Sequence, residues 1–163
     1  MAVQLLREPA NQSGANSTQV CLCEGIQILS APVRVAVGVI ESAGHVLVGT
    51  RPEGVPLAGM SEFPGGKCLP DETTRACVVR ECREETGLLI VPRRHLITTN
   101  RDYKHGLFEL DFWLCGLSPD LPDLAAATDS FHWIPFGSLD DLDFPAGNDA
   151  ALKLLPGFQG SWL

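Results

Sequence analysis

No apolar run in this chain approaches the ~18 residues that a membrane-spanning helix needs, so a helical membrane protein is not expected. Basic residues are scarce: 12 Lys and Arg stand against 20 Asp and Glu, for a net charge of −8. Binding to a nucleic-acid polymer draws on clustered Lys and Arg, so such a partner is not expected either. A small anionic ligand stays compatible with an acidic chain, because a bound cation reverses the local field. The six cysteines, at 21, 23, 68, 77, 82 and 115, contain no C-x2-C pair and no repeated His spacing accompanies them. That argues against zinc. The opening residues MAVQLLREPANQSGANS have neither the basic n-region nor the apolar h-region of a secretory signal, so reduced thiols and a cytoplasmic location are expected.

What is present is a chain of 163 residues, 45% hydrophobic, enough for one domain with its own core. Its densest chemistry lies between Gly66 and Leu88, where Arg80 and the four carboxylates of Glu72, Glu81, Glu84 and Glu85 stand at fixed spacings. Glu81, Glu84 and Glu85 stand at i, i+3 and i+4, so on a helix they share one face. Three crowded carboxylates repel one another unless a cation compensates, and oxygen-only donors favour a hard divalent ion such as Mg²⁺ or Mn²⁺. A solvated acidic face is the other reading of these residues taken alone.

Local signals bound that helix. Pro64-Gly65-Gly66 is a turn that lets backbone carbonyls approach a ligand, Thr73 suits the N-cap and Gly87 the left-handed position after the last turn. The spacing predicts a helix over about Thr74 to Thr86. Its apolar side carries Val79, Cys82 and Thr86, with Val78 at the margin, while Cys77 falls on the carboxylate face. Arg80 can form an i,i+4 pair with Glu84 and lies beside Glu81.

The order G-x5-E-x7-R-E-U-x-E-E-x-G-U, with U a bulky apolar residue, is the signature of the Nudix family, and this chain resembles it at Gly66, Glu72, Arg80, Glu81, Glu84, Glu85 and Gly87. With average residue frequencies of about 5–8%, so many fixed positions coincide by accident on the order of once in 10⁸ trials. Leu88 fits its apolar position, and Cys82 is a small substitute at the other. The resemblance implies an α/β fold, the Nudix α/β/α sandwich with a mixed β-sheet. It implies Mg²⁺ (or Mn²⁺) bound by Glu81, Glu84, Glu85 and the Gly65 carbonyl, with Arg80 orienting the glutamates and Glu72 holding the loop or meeting metal through water. Lys67 is placed to touch phosphate, as is Arg51, although each also reads as an ordinary surface cation.

The rest of the chain supplies strands and a tail. Residues 1–31, rich in Ser, Asn, Gln and Gly, read as a loosely ordered extension in which Val20 to Ile28 could add an edge strand; residues 32–163 read as the Nudix domain. Val33 to Ile40 and His45 to Val48 form a strand pair around the turn ESAG. A loop from Thr50 to Glu62 precedes the signature, and strands are expected over Leu107 to Leu114 and near Phe131 to Ile134. Asn148 to Leu155 reads as a helix. Alternating layers of this kind suit an α/β sandwich.

Three further pieces, SEFPGGK at Ser61 to Lys67, DFWL at Asp111 to Leu114 and DFPAGNDAALKLL at Asp143 to Leu155, resemble the MutT branch, the oxidised-guanine nucleotide hydrolases. The resemblance implies Mg²⁺-dependent hydrolysis of a nucleoside triphosphate, with oxidised purine dNTPs such as 8-oxo-dGTP as the substrate class, to the monophosphate and pyrophosphate. Asn148 takes the base-reading role; an amide offers donors and an acceptor suited to the O6/N7 edge of guanine. Capping of the last helix is the alternative for Asn148. The glutamate that MutT-like enzymes carry six residues before a strand tryptophan falls here on Ala127, counted back from Trp133. Asp129 is the nearest carboxylate and the first candidate to replace it; Asp111, Asp120, Asp123, Glu84 and Glu85 are others. A non-catalytic nucleotide-binding module, and hydrolysis of ADP-ribose or dinucleoside polyphosphates, are the competing functions.

Overall fold

The computed structural model describes residues 31–103 and 106–155. The expected edge strand at Val20 to Ile28 and the N-terminal extension lie outside the described residues, apart from Ala31. Strand β1 (Val33–Ser42) turns through Ala43 and Gly44, both at positive φ (46° and 76°), into the antiparallel strand β2 (His45–Thr50). Two successive left-handed residues give the tight turn whose twist matches the flanking strands. The short β3 (Ser61–Glu62) pairs with β2, and β4 (Gly65–Lys67) pairs antiparallel with β1 at Val35–Val37. Helix α1 (Thr74–Thr86) follows. Strands β5 (Ile90–Tyr103) and β6 (Gly106–Leu117) form a long antiparallel pair, and β6 lies parallel to β1. Finally β7 (Phe131–Pro135) pairs with β2. The result is a seven-stranded mixed sheet with the main order β3-β2-β1-β6-β5.

Strand alternation sends successive side chains to opposite faces, and each face has its own core. Ala36, Ile40, Leu47 and Cys115 pack under α1 against Cys77, Val78 and Cys82. Val39, Val46, Phe112 and Leu114 pack on the other side against Leu139, Phe144, Ala151 and Leu155. This second layer is built from 3-10 turns at Phe136–Asp141 and Ala146–Asn148 and from the short helix α2 (Asp149–Leu152). Each fully buried Leu, Ile or Phe contributes roughly 1.5–3 kcal/mol, so both layers matter. The chain is an α/β sandwich, and among the described residues no helix is long and apolar enough to cross a membrane.

The predicted span and caps of α1 agree with the structure: the Thr73 hydroxyl accepts from Ala76 N at 3.2 Å, and Gly87 closes the helix at φ 74°. Its buried face is rotated from expectation. Cys77, Val78, Cys82 and Thr86 are buried while Val79 is only partly so, because the β4 turn covers the side that carries Cys77. Two further expectations are corrected. The sequence pattern predicts no strand between Leu88 and Leu107, whereas β5 occupies most of that stretch. The C-terminal helix expected over Asn148–Leu155 is four residues long and begins only after a 3-10 turn.

Candidate active site

The Pro64–Lys67 turn places its backbone against the acidic face of α1. Gly65 sits at φ 154°, a conformation that side-chain-bearing residues rarely adopt, and a Cβ there would run into the Ala36 carbonyl. A Cβ on Gly66 would collide with the Glu81 carboxyl. Position 65 therefore needs glycine for the turn to close onto α1, whereas a side chain at position 66 would displace the Glu81 carboxyl.

Arg80 is the hub. Its Nε and Nη2 donate to the two oxygens of Glu72 at 2.9 and 2.8 Å, and its Nη1 reaches Glu81 at 2.6 Å and Glu84 at 3.4 Å. Nη2 also donates to the Lys67 carbonyl at 3.2 Å, tying the turn to the helix. A planar guanidinium can serve this many acceptors at once, which a lysine could not do in one geometry. The arginine beside it holds the Glu72 carboxyl down at about 2, helped by the Leu69 N–H that donates to the same side chain. Glu72 thus fixes the Leu69–Glu72 turn and Arg80 together, with only 13% of its side chain exposed.

Glu85 behaves differently. Its Oε2 accepts from Gly65 N at 2.9 Å, yet loss of water around the carboxyl pushes its pKa up to about 7, with the charges of Glu62, Glu81 and Glu84 adding to the rise and the Gly65 N–H opposing it. Glu84 remains 60% exposed. Glu85 therefore meets the glycine turn at Gly65 N, Glu81 lies against Gly66, and Glu84 joins them through Arg80, leaving a surplus of negative charge. This is an all-oxygen donor set with a backbone carbonyl at hand, the chemistry of a hard divalent cation, and the residues fit Mg²⁺.

A cleft of about 600 Å³ opens on the opposite face of the sheet from α1. Gly65, Gly66, Lys67 and Arg51 line it, and so does Asn148. Arg51 is already engaged, pairing with Glu62 at 2.9 Å and donating to the Pro56 carbonyl at 3.0 Å. Asn148 makes no capping bond; its Nδ2 donates to the Pro145 carbonyl at 3.1 Å, leaving the amide oxygen without a partner among the described residues. The capping alternative for this residue does not hold, because Asn148 itself lies in helical conformation and its side chain turns back to the preceding turn.

The expected site residues from the two ends of the chain meet through two phenylalanines. Phe63 and Phe144 stack with centroids 4.8 Å apart, and Ser61 N donates to the Asp143 carbonyl at 2.7 Å. Sequence reasoning missed Tyr103, Phe108 and Leu110, which line the same cleft from β5 and β6. Tyr103 and Phe108 pack edge-to-face at 5.4 Å. The signal that could have found them is the every-other-residue apolar pattern of Phe108, Leu110 and Phe112.

The substitutes for Ala127 sort by partner. Asp111 accepts from Thr98 Oγ1 at 2.5 Å and lies 2.9 Å from His95 Nε2, on the α1 side of the sheet, so it is committed elsewhere. Asp123 accepts from Ser42 Oγ at 3.3 Å. Asp120 is exposed, in the loop after β6. Asp129 is exposed at the tip of a turn closed by Phe131 N to Thr128 O at 3.0 Å. Thr128 donates through its hydroxyl to the Glu85 carbonyl at 2.8 Å, so this turn is fastened to the C-terminal end of α1. Ala127 packs against the core under α1.

The family model for the NUDIX domain matches residues 35–154. The chain belongs to the Nudix hydrolase family. Over 81 residues it is 35% identical to the CTP pyrophosphohydrolase of Escherichia coli K12, a match covering 50% of this chain and 60% of that protein's length. Over 128 residues it is 29% identical to the 8-oxo-dGTP diphosphatase of the same organism, covering 76% of this chain and 95% of that one. Its structure is similar to the solution structure of MutT, a Nudix hydrolase from methicillin-resistant Staphylococcus aureus 252, with a TM-score of 0.62 and 30% identity over 78% of this chain and 98% of that one. The Nudix signature falls on the Gly66–Leu88 segment, so the clamp around Arg80 is the family's defining element in this chain.

Proposed function

We propose that this protein is a Mg²⁺-dependent nucleoside triphosphate pyrophosphohydrolase of the MutT type, acting on purine dNTPs including oxidised ones such as 8-oxo-dGTP and releasing nucleoside monophosphate and pyrophosphate. The observation that carries the reading is one cleft lined at once by the Gly65–Lys67 turn and by Asn148. A nucleotide laid along it sets its phosphates at the Gly65–Lys67 turn, which Glu81 and Glu85 pack against, and its base beside the amide.

The residues divide the work. Glu81, Glu84 and Glu85, with the Gly65 carbonyl, hold Mg²⁺; Mn²⁺ satisfies the same oxygen donors. When bound, the cation neutralises phosphate oxygens and lowers the pKa of a bound water. Arg80 orients Glu81 and Glu84, and Glu72 anchors Arg80 and the turn. Lys67 binds phosphate, and Arg51 joins it by exchanging Glu62 for a phosphate oxygen. Asp129 activates the attacking water in place of the carboxylate missing at Ala127. Asn148 reads the base: its amide accepts from one donor and donates to one acceptor on the purine edge. The unit responsible is residues 32–163, with residues 1–31 an extension, acting on small nucleotides in the cytoplasm.

A pyrimidine reading is favoured by the match to a CTP pyrophosphohydrolase, and the same assay separates the two. The protein is incubated with Mg²⁺ and dGTP, 8-oxo-dGTP, CTP, dCTP, ADP-ribose or a dinucleoside polyphosphate, and products are resolved chromatographically. Purine triphosphates are expected to turn over fastest, with pyrophosphate as coproduct. Preference for CTP would reassign the base pocket, and no turnover of any substrate would reduce the site to a binding module.

A further inference from the structure

Behind the Arg80 clamp the fold assembles a second donor set of different chemistry. Cys68 Sγ, a Glu72 carboxylate oxygen and Cys77 Sγ all lie within 4.8 Å of one another. They come from three places: the residue after β4, the turn before α1 and the first turn of α1. We propose that Cys68, Glu72 and Cys77 form a binding site for one thiophilic divalent cation, Zn²⁺, separate from the oxygen site of Glu81, Glu84 and Glu85.

Two thiolates and a carboxylate select a borderline-soft ion over Mg²⁺, and zinc accepts three protein ligands with water in the fourth position. Tetrahedral zinc with bonds of about 2.3 Å to sulfur holds its donors about 4 Å apart, so side-chain adjustment closes the present spacing. Glu72 has capacity to spare. Its Oε2 already accepts from Leu69 N and Arg80 Nη2, whereas Oε1 accepts from Arg80 Nε and has a second lone pair to offer. Cys77 is fully buried and Cys68 half-buried, so the ion enters past Cys68 and is shielded once bound.

Charge also balances. Two thiolates and one carboxylate offset the divalent cation and the Arg80 guanidinium, which lies 3.6 Å from Cys77 Sγ. Binding releases two thiol protons to solvent and gives up the weak Cys77 S–H contact to the Gly66 carbonyl at 3.5 Å. Because Glu72 offers the ion the remaining lone pair of Oε1 while still holding Arg80, the ion adjoins the clamp without using the glutamate trio. The separation of Cys68 from Cys77 in sequence matches no zinc spacing, which is why the pair is visible only in three dimensions.

The test uses the full chain with Cys21→Ser and Cys23→Ser, so that those thiols contribute nothing, and excess Mg²⁺ to fill the oxygen site. Titration with Co²⁺ reads the thiolate-to-cobalt charge-transfer absorption, and Zn²⁺ is then added to displace it. One equivalent of Co²⁺ is expected to give the sulfur band and one equivalent of Zn²⁺ to abolish it. Cys68→Ser, at a half-buried position, and Cys77→Ser each weaken binding at least about tenfold. Glu72→Gln weakens binding while both sulfur bonds persist, and Glu84→Gln leaves the band unchanged. Absence of the band in the parent, or its survival in the Cys68→Ser/Cys77→Ser double variant, overturns the proposal. The readout does not depend on hydrolysis, so it stands or falls apart from the proposed activity.

Discussion

The Gly65–Gly87 segment and the nucleotide-sized cleft are both parts of one candidate site, yet they are built in opposite ways. The first is a contiguous stretch in which turn, cap, helix and hub arginine are all local, so every partner of Arg80 lies within thirteen residues of it in sequence. The second is assembled from β1, β4, β5, β6 and the Pro145–Asn148 turn, held to the first by the Phe63–Phe144 stack and the Ser61–Asp143 bond. The difference separates chemistry from selectivity. In the proposed function the cation ligands and Lys67 belong to this local element, while the base-reading Asn148 sits on a turn remote in sequence.

The sharpest way to break this division is Glu84→Gln. The side chain is mostly exposed, so the fold is expected to persist while kcat with Mg²⁺ falls by about two orders of magnitude or more, as loss of metal stabilisation predicts. Steady-state kinetics on a folded variant check it; a near-normal rate removes Glu84 from the metal-binding set.

Asn148→Ala probes the other half. The ratio of kcat/KM between preferred and non-preferred bases should contract by about tenfold, the worth of one or two lost hydrogen bonds, with triphosphate hydrolysis itself retained. Competition between two nucleotides in one reaction measures this directly. An unchanged ratio takes base reading away from Asn148.

Phe144→Leu tests the link between the regions. Losing the stack on Phe63 while keeping most of the apolar volume should lower stability by about 1 kcal/mol and weaken selectivity less than Asn148→Ala does. Urea unfolding and the same competition assay report the two effects. A loss of rate equal to that of Glu84→Gln would mean that the regions are not separable.

The smallest effect concerns pH. The Glu72 carboxyl is held at about 2 against an ordinary value of 4.5, so the unfolded chain takes up its proton first as pH falls. The stabilisation from ionised Glu72 is therefore fully present above about pH 4.5 and is lost as pH falls toward 2. The stability gap between the parent and Glu72→Gln should shrink across that window. Urea midpoints at neutral pH and near pH 3 give the comparison, and a constant gap contradicts it.

Much of the first region was legible before any coordinates. Thr73 and Gly87 bracket α1 at the expected residues because caps and left-handed glycines act within a few positions of chain. By contrast, β5 is not legible in the sequence. Its sequence IVPRRHLITTNRDY shows neither helical nor strict two-residue periodicity, and the two register shifts, at Pro92/Arg94 and His95/Ile97, explain why: each bulge breaks the alternation. Only pairing along β6 makes it a strand. The C-terminal helix is shorter than its pattern predicts, because Ala146–Asn148 winds as a 3-10 turn and regular α-helix covers only Asp149–Leu152.

Sequence alone determined the family, the carboxylate cluster and the helix that presents it, because helix periodicity and capping are properties of neighbouring residues. Tertiary structure decided that Asp111 is taken up by Thr98 and His95 and that Asn148 lines a cleft without capping a helix through its side chain. It also decided that Cys68, Glu72 and Cys77 share one point in space. Those outcomes depend on which faces of the sheet are covered and on contacts between residues distant in the chain, and no local spacing encodes them.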